Sequence, residues 1–142
     1  MARIVFELEI EAPAAAVVRA LDSAEGIAGW WTGDVDFAGG EGSIMRVGFP
    51  VAPKPFELRV DGVDDKLVRW TSVGDFPPHW SGTTITWTLT PTDGGTQVHF
   101  GHDGWASDDG PFPGAAMTWG QLMTSLKQYV ETGRGTPLYR KD

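Results

Sequence analysis

The sequence predicts an α+β fold in which one antiparallel sheet is covered by a long C-terminal helix. Residues 4–10 and about five or six later segments up to residue 102 alternate apolar and polar side chains, the period of a half-buried strand. Short turns bearing Gly, Pro and Asp separate these segments, which favours antiparallel neighbours over crossover connections. Near the end, Trp119, Leu122, Met123, Leu126 and Val130 recur at helical spacing, so the last long element has one apolar stripe that needs a sheet face to cover it.

The first strand puts Ile4, Phe6, Leu8 and Ile10 on one face and Glu7, Glu9 and Glu11 on the other. Pro13 presets the backbone angle of a first helical residue, and the alanine-rich run Ala14 to Leu21 makes a short helix that ends near Asp22. Asp22 and Glu25, three apart, have the polarity of a capped start, and Ile27, Trp30 and Trp31 follow at helical spacing as a second short helix. A glycine-rich stretch then carries strands near Val35 to Phe37 and Ser43 to Phe49. Pro50, Pro53 and Pro55 end it, because proline cannot donate to a ladder.

Phe56 to Val60 and Lys66 to Ser72 read as a hairpin turning over Asp61 to Asp65, and Gly74 to Gly82, with Pro77 and Pro78, as a loop. Thr83 to Thr90 sets Ile85, Trp87 and Leu89 against a face of threonines. Asp93-Gly94-Gly95 turns the chain, and Thr96 to His102 returns with Val98 and Phe100 on the same parity. Gly101 to Gly114 reads as a glycine-rich, acidic loop that can act as a mobile mouth, and the last helix ends near Gly133. One domain spans residues 1–142, with 136–142 as a loosely held tail.

Composition narrows the function. A chain of 142 residues buries roughly 68–70% of its unfolded surface, enough for a core without metal or disulfide staples. With no cysteine there is no thiol nucleophile, cysteine zinc site or iron–sulfur cluster. A net charge of −8 is the wrong field for nucleic acid or anionic lipid. The sequence has neither a membrane-spanning apolar run nor the apolar region of a signal peptide, so the expected location is the cytoplasm and membrane insertion is not expected.

The polar motifs give little chemistry. His99 and His102 are three apart beside Asp103, but on one strand they have opposite parity, so no metal site is expected of them. Ser81, Ser107 and Ser125 stand in no Gly-x-Ser-x-Gly elbow, which argues against a serine hydrolase. Neither Gly101-His102-Asp103-Gly104 nor Asp108-Asp109-Gly110 has the pattern of a phosphate or calcium loop. His79, on the proline-stiffened Pro77-Pro78-His79-Trp80, and His99 are the candidate polar groups of a pocket, and no residue is assigned as catalytic.

Several short motifs in order along the chain resemble a known family. They are Ala12-Pro13 before a helix ending Ala20-Leu21-Asp22, Trp30-Trp31-Thr32, Thr86-Trp87-Thr88-Leu89 and Gly95-Thr96-Gln97-Val98, followed by His102-Asp103-Gly104-Trp105, Gly120-Gln121-Leu122 and Ser125-Leu126-Lys127. Together they resemble the activator-of-Hsp90-ATPase-homologue-like family (AHSA1-like) of the START-like (SRPBCC) superfamily. The resemblance implies a helix-grip, Bet v 1-like fold: a curved antiparallel sheet wrapped around the long C-terminal helix, with a cavity between them for a small hydrophobic or aromatic molecule. No cofactor is expected.

Seven Trp and seven Phe supply the walls for such a cavity. The expected lining is Ile85, Trp87 and Phe100 on the sheet, Trp119, Leu122, Met123 and Leu126 on the helix, and Trp30, Trp31, Trp70 and Trp105 beside them, with Met45 and Met117 adding adaptable surface. The leading expectation is therefore a binding module that carries, senses or sequesters its ligand. The alternatives are a cyclase- or hydrolase-like enzyme using the same cavity and a chaperone-related interaction domain. The eukaryotic co-chaperone has an additional N-terminal domain, whereas this chain opens on its first strand, so an Hsp90-type chaperone is not the expected partner. A homodimer through a strand edge or aromatic patch is compatible with the sequence.

Overall fold

In a computed structural model, which describes residues 2–141, seven strands form one curved antiparallel sheet in the order β1-β7-β6-β5-β4-β3-β2. The first strand is β1 (Ala2–Ile10), followed by helices α1 (Ala14–Leu21) and α2 (Ala24–Trp30). The strands β2 (Asp34–Asp36), β3 (Ile44–Gly48), β4 (Phe56–Val63) and β5 (Leu67–Val73) come next. A single 3-10 turn (Pro78–Trp80) leads to β6 (Thr84–Thr92), β7 (Gly95–Trp105) and the 21-residue helix α3 (Phe112–Thr132). No helix among the described residues is long and apolar enough to cross a membrane.

The period-two strands bury alternate residues as their patterns require. Ile85, Trp87 and Leu89 of β6 and Val98 and Phe100 of β7 are buried, and α3 buries Trp119, Leu122 and Leu126 in the same core, with the Trp119 ring against Trp87 and Phe100. The helix ends at Gly133, whose φ of 86° is the left-handed conformation that closes a helix at little steric cost. Two bonds fix the short helices to this frame. Trp30 Nε1 donates to the Ala20 carbonyl over 2.8 Å, and Ser125 Oγ on α3 donates to the Trp30 carbonyl over 2.8 Å.

Four local expectations change. Ser23, not Asp22, caps α2: its Oγ accepts from the Gly26 N–H, while Asp22 accepts from Gly40 N–H in the following loop. The hairpin turn is confined to Asp64, Asp65 and Lys66 because β4 runs on to Val63 after a register shift between Val60 and Gly62. The strand expected to end at His102 runs on to Trp105, into the segment expected as loop. Gly101, His102 and Asp103 pair with both β1 and β6 and Trp105 with Ala2 of β1, and this pairing outweighs the weak strand propensity of glycine. Finally, Gly33 N–H donates to Tyr139 O and Leu138 N–H to Trp31 O, so the segment expected as a loose tail is tied to the end of α2, where the Trp31 carbonyl needs a partner.

The extension of β7 carries a bulge that decides which of its side chains face inward. Ala2 pairs with Trp105 and Arg3 with Asp103, leaving Gly104 as the extra residue with a φ of 96°. One added residue restores parity, so His102 and Trp105 face inward together although they are three apart. Their rings lie 5.0 Å apart between centroids.

Candidate ligand-binding cleft

The residues that bring β7, the 3-10 turn and α3 together centre on His102, which is fully buried. Its Nδ1 accepts the indole hydrogen of Trp119 over 3.1 Å, and its Nε2 lies 2.8 Å from Thr83 Oγ1. Thr83 Oγ1 already donates to the Trp80 carbonyl over 2.6 Å, so it can only accept from the imidazole. The tautomer is therefore fixed as neutral, with the proton on Nε2. Burial, reinforced by the nearby His79, holds the His102 pKa down to about 3, consistent with this assignment. With both nitrogens engaged, His102 acts as a strut and has no lone pair to offer a ligand.

On this strut rests an aromatic stack. Trp31 lies nearly parallel to Trp30 and to Trp70 at centroid distances of 5.6 and 6.2 Å, and meets Trp119 at 5.3 Å. Trp119 in turn stacks on Trp80 at 6.0 Å and 19°. Beyond Trp31, Trp80 and Trp119 the packing stops, and a cleft of about 300 Å³ opens between the start of α3 and the 3-10 turn. Phe49 and Phe56 form its far wall, Leu122 and Ala115 its helical wall, and Leu138 part of its edge. Its polar side chains are His79 and Thr118, and no Asp, Glu, Lys or Arg lines it.

His79 packs against Trp105 at 5.6 Å, and burial lowers its pKa, which keeps the imidazole neutral near pH 7. The Thr118 hydroxyl donates to Gly114 O one turn back on the helix. Two other surface hollows, of about 420 and 410 Å³, are larger. They are bordered by charged groups, Arg19 and Glu25 in one and Asp34, Asp36, Arg46 and Lys54 in the other. The aromatic cleft is the one in which apolar surface and a few polar groups converge.

The predicted pocket residues divide between wall and filling. Trp31, Trp119, Leu122 and His79 line the cleft. Ile85, Trp87 and Phe100 of the sheet, Met45 and Trp70 on neighbouring strands, and Trp30 and Leu126 on the helices are wholly buried and pack beneath it. Met123 and Trp105 are also core, at 5% and 2% exposure. The indoles interlock edge to face, as Trp87 does with Trp30 at 80° and with Trp70 at 66°, and so occupy the space between helix and sheet.

Two of the expected residues point elsewhere. Met117 is 71% exposed, on the outer side of α3. His99 stands on the opposite face of β7 from His102, where its Nδ1 is 3.0 Å from Glu7 Oε2. Phe49, Phe56 and Trp80 were not among the expected wall residues. Only Trp80 had a usable signal, its place after two prolines on the same loop as His79.

The comparisons agree with this architecture. The family model described as "Activator of Hsp90 ATPase homolog 1-like protein" matches residues 11–131. The solution structure of the Aha1 dimer from Colwellia psychrerythraea is 29% identical, covers 95% of this chain and 100% of its own, and superposes with a TM-score of 0.86. Protein MLL2253 from Mesorhizobium loti is 26% identical over 89% of this chain and 95% of its own, with a TM-score of 0.77. The AHSA1-like protein from Aeromonas hydrophila shares the fold at 20% identity and a TM-score of 0.68, over 93% and 94% of the two chains. No curated protein sequence matches the chain significantly. Because the family model extends from before α1 almost to the end of α3, the chain belongs to the activator of Hsp90 ATPase homolog 1-like family.

Proposed function

We propose that this protein binds a small hydrophobic or aromatic molecule in the cleft between α3 and the 3-10 turn, as a carrier, sensor or sequestering protein. The observation that supports the reading is the lining: indole and phenyl faces around about 300 Å³, with no charged side chain. That volume is at the lower end for small-molecule sites, which suits a compact ligand of two or three fused rings better than a sterol. Titration of the isotope-labelled protein with 2-ethylnaphthalene tests it. Saturable shifts confined to Trp31, Trp80, Trp119, Leu122 and their neighbours are expected; shifts spread evenly over the surface would reject it.

His79 supports a second reading, a cyclase- or hydrolase-like enzyme, since a neutral imidazole in an apolar cleft is suited to proton transfer. His79→Ala would then abolish turnover of a bound aromatic substrate while leaving its affinity within a few-fold. A homodimer is supported by the Colwellia relative, which is described as a dimer. Light scattering during gel filtration distinguishes one copy from two.

A further inference from the structure

The seven indole N–H groups of this protein are not used alike, and the difference bears on what the cleft takes. Trp30 Nε1 donates to Ala20 O and Trp119 Nε1 to His102 Nδ1. Those of Trp70, Trp87 and Trp105 are sealed inside the core without an acceptor. Trp31 and Trp80 remain. Neither indole hydrogen has an acceptor among the described residues, and neither nitrogen is among the sealed ones. The two residues are only 2% and 6% exposed, and both line the cleft, so the little surface they keep is cleft surface.

From these two free donors we infer that the ligand is a neutral, flat aromatic compound bearing a carbonyl oxygen, such as an aryl ketone or quinone, with that oxygen accepting from Trp31 or Trp80. This rests on the binding reading above and narrows it to a chemical class. Three features carry it. Stacking holds these rigid indoles in place, Trp31 on Trp30 and Trp70 and Trp80 on Trp119, so a donor is presented without side-chain entropy being lost on binding. The polar hydrogens the lining can offer are those of Trp31, Trp80 and the neutral His79, whose other ring nitrogen is an acceptor, since the Thr118 hydroxyl hydrogen is already given to Gly114 O. A fatty acid would bury its carboxylate with no Lys or Arg in the lining, and an ammonium would meet N–H groups and no carboxylate.

The experiment compares 2-acetylnaphthalene with 2-ethylnaphthalene, which differ by a carbonyl in place of a methylene, alongside decanoate and benzyltrimethylammonium. Affinities are measured by calorimetry, and indole signals by proton–nitrogen correlation spectra assigned through Trp31→Phe and Trp80→Phe. The ketone should bind roughly 2- to 12-fold more tightly than the hydrocarbon for each hydrogen bond gained. The Trp31 or Trp80 indole proton should move downfield with the ketone alone. Trp80→Phe or Trp31→Phe, whichever removes the shifted signal, should bring the ratio of ketone to hydrocarbon affinity close to one, whatever the smaller wall does to the affinity of each compound alone.

Equal affinities for the naphthalene pair, unmoved indole protons, or tighter binding of decanoate or the ammonium would overturn the inference while leaving an apolar cleft in place. If neither naphthalene binds, the cleft reading itself fails and this inference with it. Should Trp31→Phe not fold, the wild-type spectra and Trp80→Phe still decide between these results.

Discussion

Trp119 on α3 gives its indole hydrogen to Nδ1 of His102 on β7 across 3.1 Å, so a buried imidazole carries the helix against the sheet. Thr83 accepts from the other nitrogen, and a protonated ring would have no acceptor at Nδ1, facing instead a second N–H. The relationship ties the back wall of the cleft to the protonation state of one residue.

Stability must therefore depend on pH, with a sign set by the unfolded chain. His102 titrates near 6.5 when unfolded and at about 3 when folded. Between those values the unfolded state holds the extra proton, so stability from this residue is complete above the unfolded pKa and is lost as pH falls toward the folded one. One proton corresponds to about 1.4 kcal/mol per pH unit. Urea unfolding from pH 7 to pH 4 should show this slope in the wild type beyond that of His102→Gln, whose amide can accept from Trp119 and donate to Thr83. Equal slopes in the two proteins would mean that His102 is already accessible to protons when folded.

Thr83 tests the same strut from its other side. Thr83→Val keeps the shape but removes the acceptor of Nε2–H and one donor to Trp80 O, leaving a sealed imidazole hydrogen unpaired. The expected loss is about 1–3 kcal/mol, whereas Thr83→Ser should recover most of it. Denaturant midpoints of the three proteins check this, and an unchanged midpoint for Thr83→Val would show the bond to be dispensable.

Two glycines in helices give opposite expectations. A methyl at Gly26 would lie 2.6 Å from the Ala20 Cα and carbonyl oxygen and from Arg19 O, all backbone of α1, so Gly26→Ala must push the two short helices apart. It should cost about 1–3 kcal/mol. At Gly120 the added methyl meets only the Phe6 ring edge at 3.5 Å, ordinary contact, and Gly120→Ala should gain up to about 1 kcal/mol from helix propensity. Thermal unfolding of both variants, read against the wild type, measures the contrast directly.

The strand and helix periods were legible because burial on one face leaves a period in the sequence, as in Thr84 to Thr90 and in the stripe from Trp119 to Val130. What was not legible is where apolar side chains stop packing on one another. Trp87 and Trp119 carry the same inward signal, yet one is core filling and the other is wall, since that depends on how neighbouring rings tilt. The surroundings of His102 were hidden for a related reason. His102 has the parity of Val98 and Phe100, which places it inward and His99 outward; what leaves no local signature is the bulge at Gly104, which turns Trp105 to the same face and closes the surroundings of His102.

The cleft itself can be closed by design. Ala115 is half-buried on the first turns of α3 and lines the cleft, while Met117, two residues on, is 71% exposed on the outer side. Ala115→Phe places a ring in the opening without displacing a core residue, so affinity for 2-ethylnaphthalene should fall at least about tenfold. Stability should change by no more than roughly 0.5 kcal/mol, as for other substitutions away from packed or hydrogen-bonded groups. Met117→Phe puts the same ring where it touches no ligand and should alter neither quantity. Calorimetric titration of the two variants separates the cleft wall from the helix's outer face, because weakened binding in Met117→Phe would place the ligand on the outside of α3.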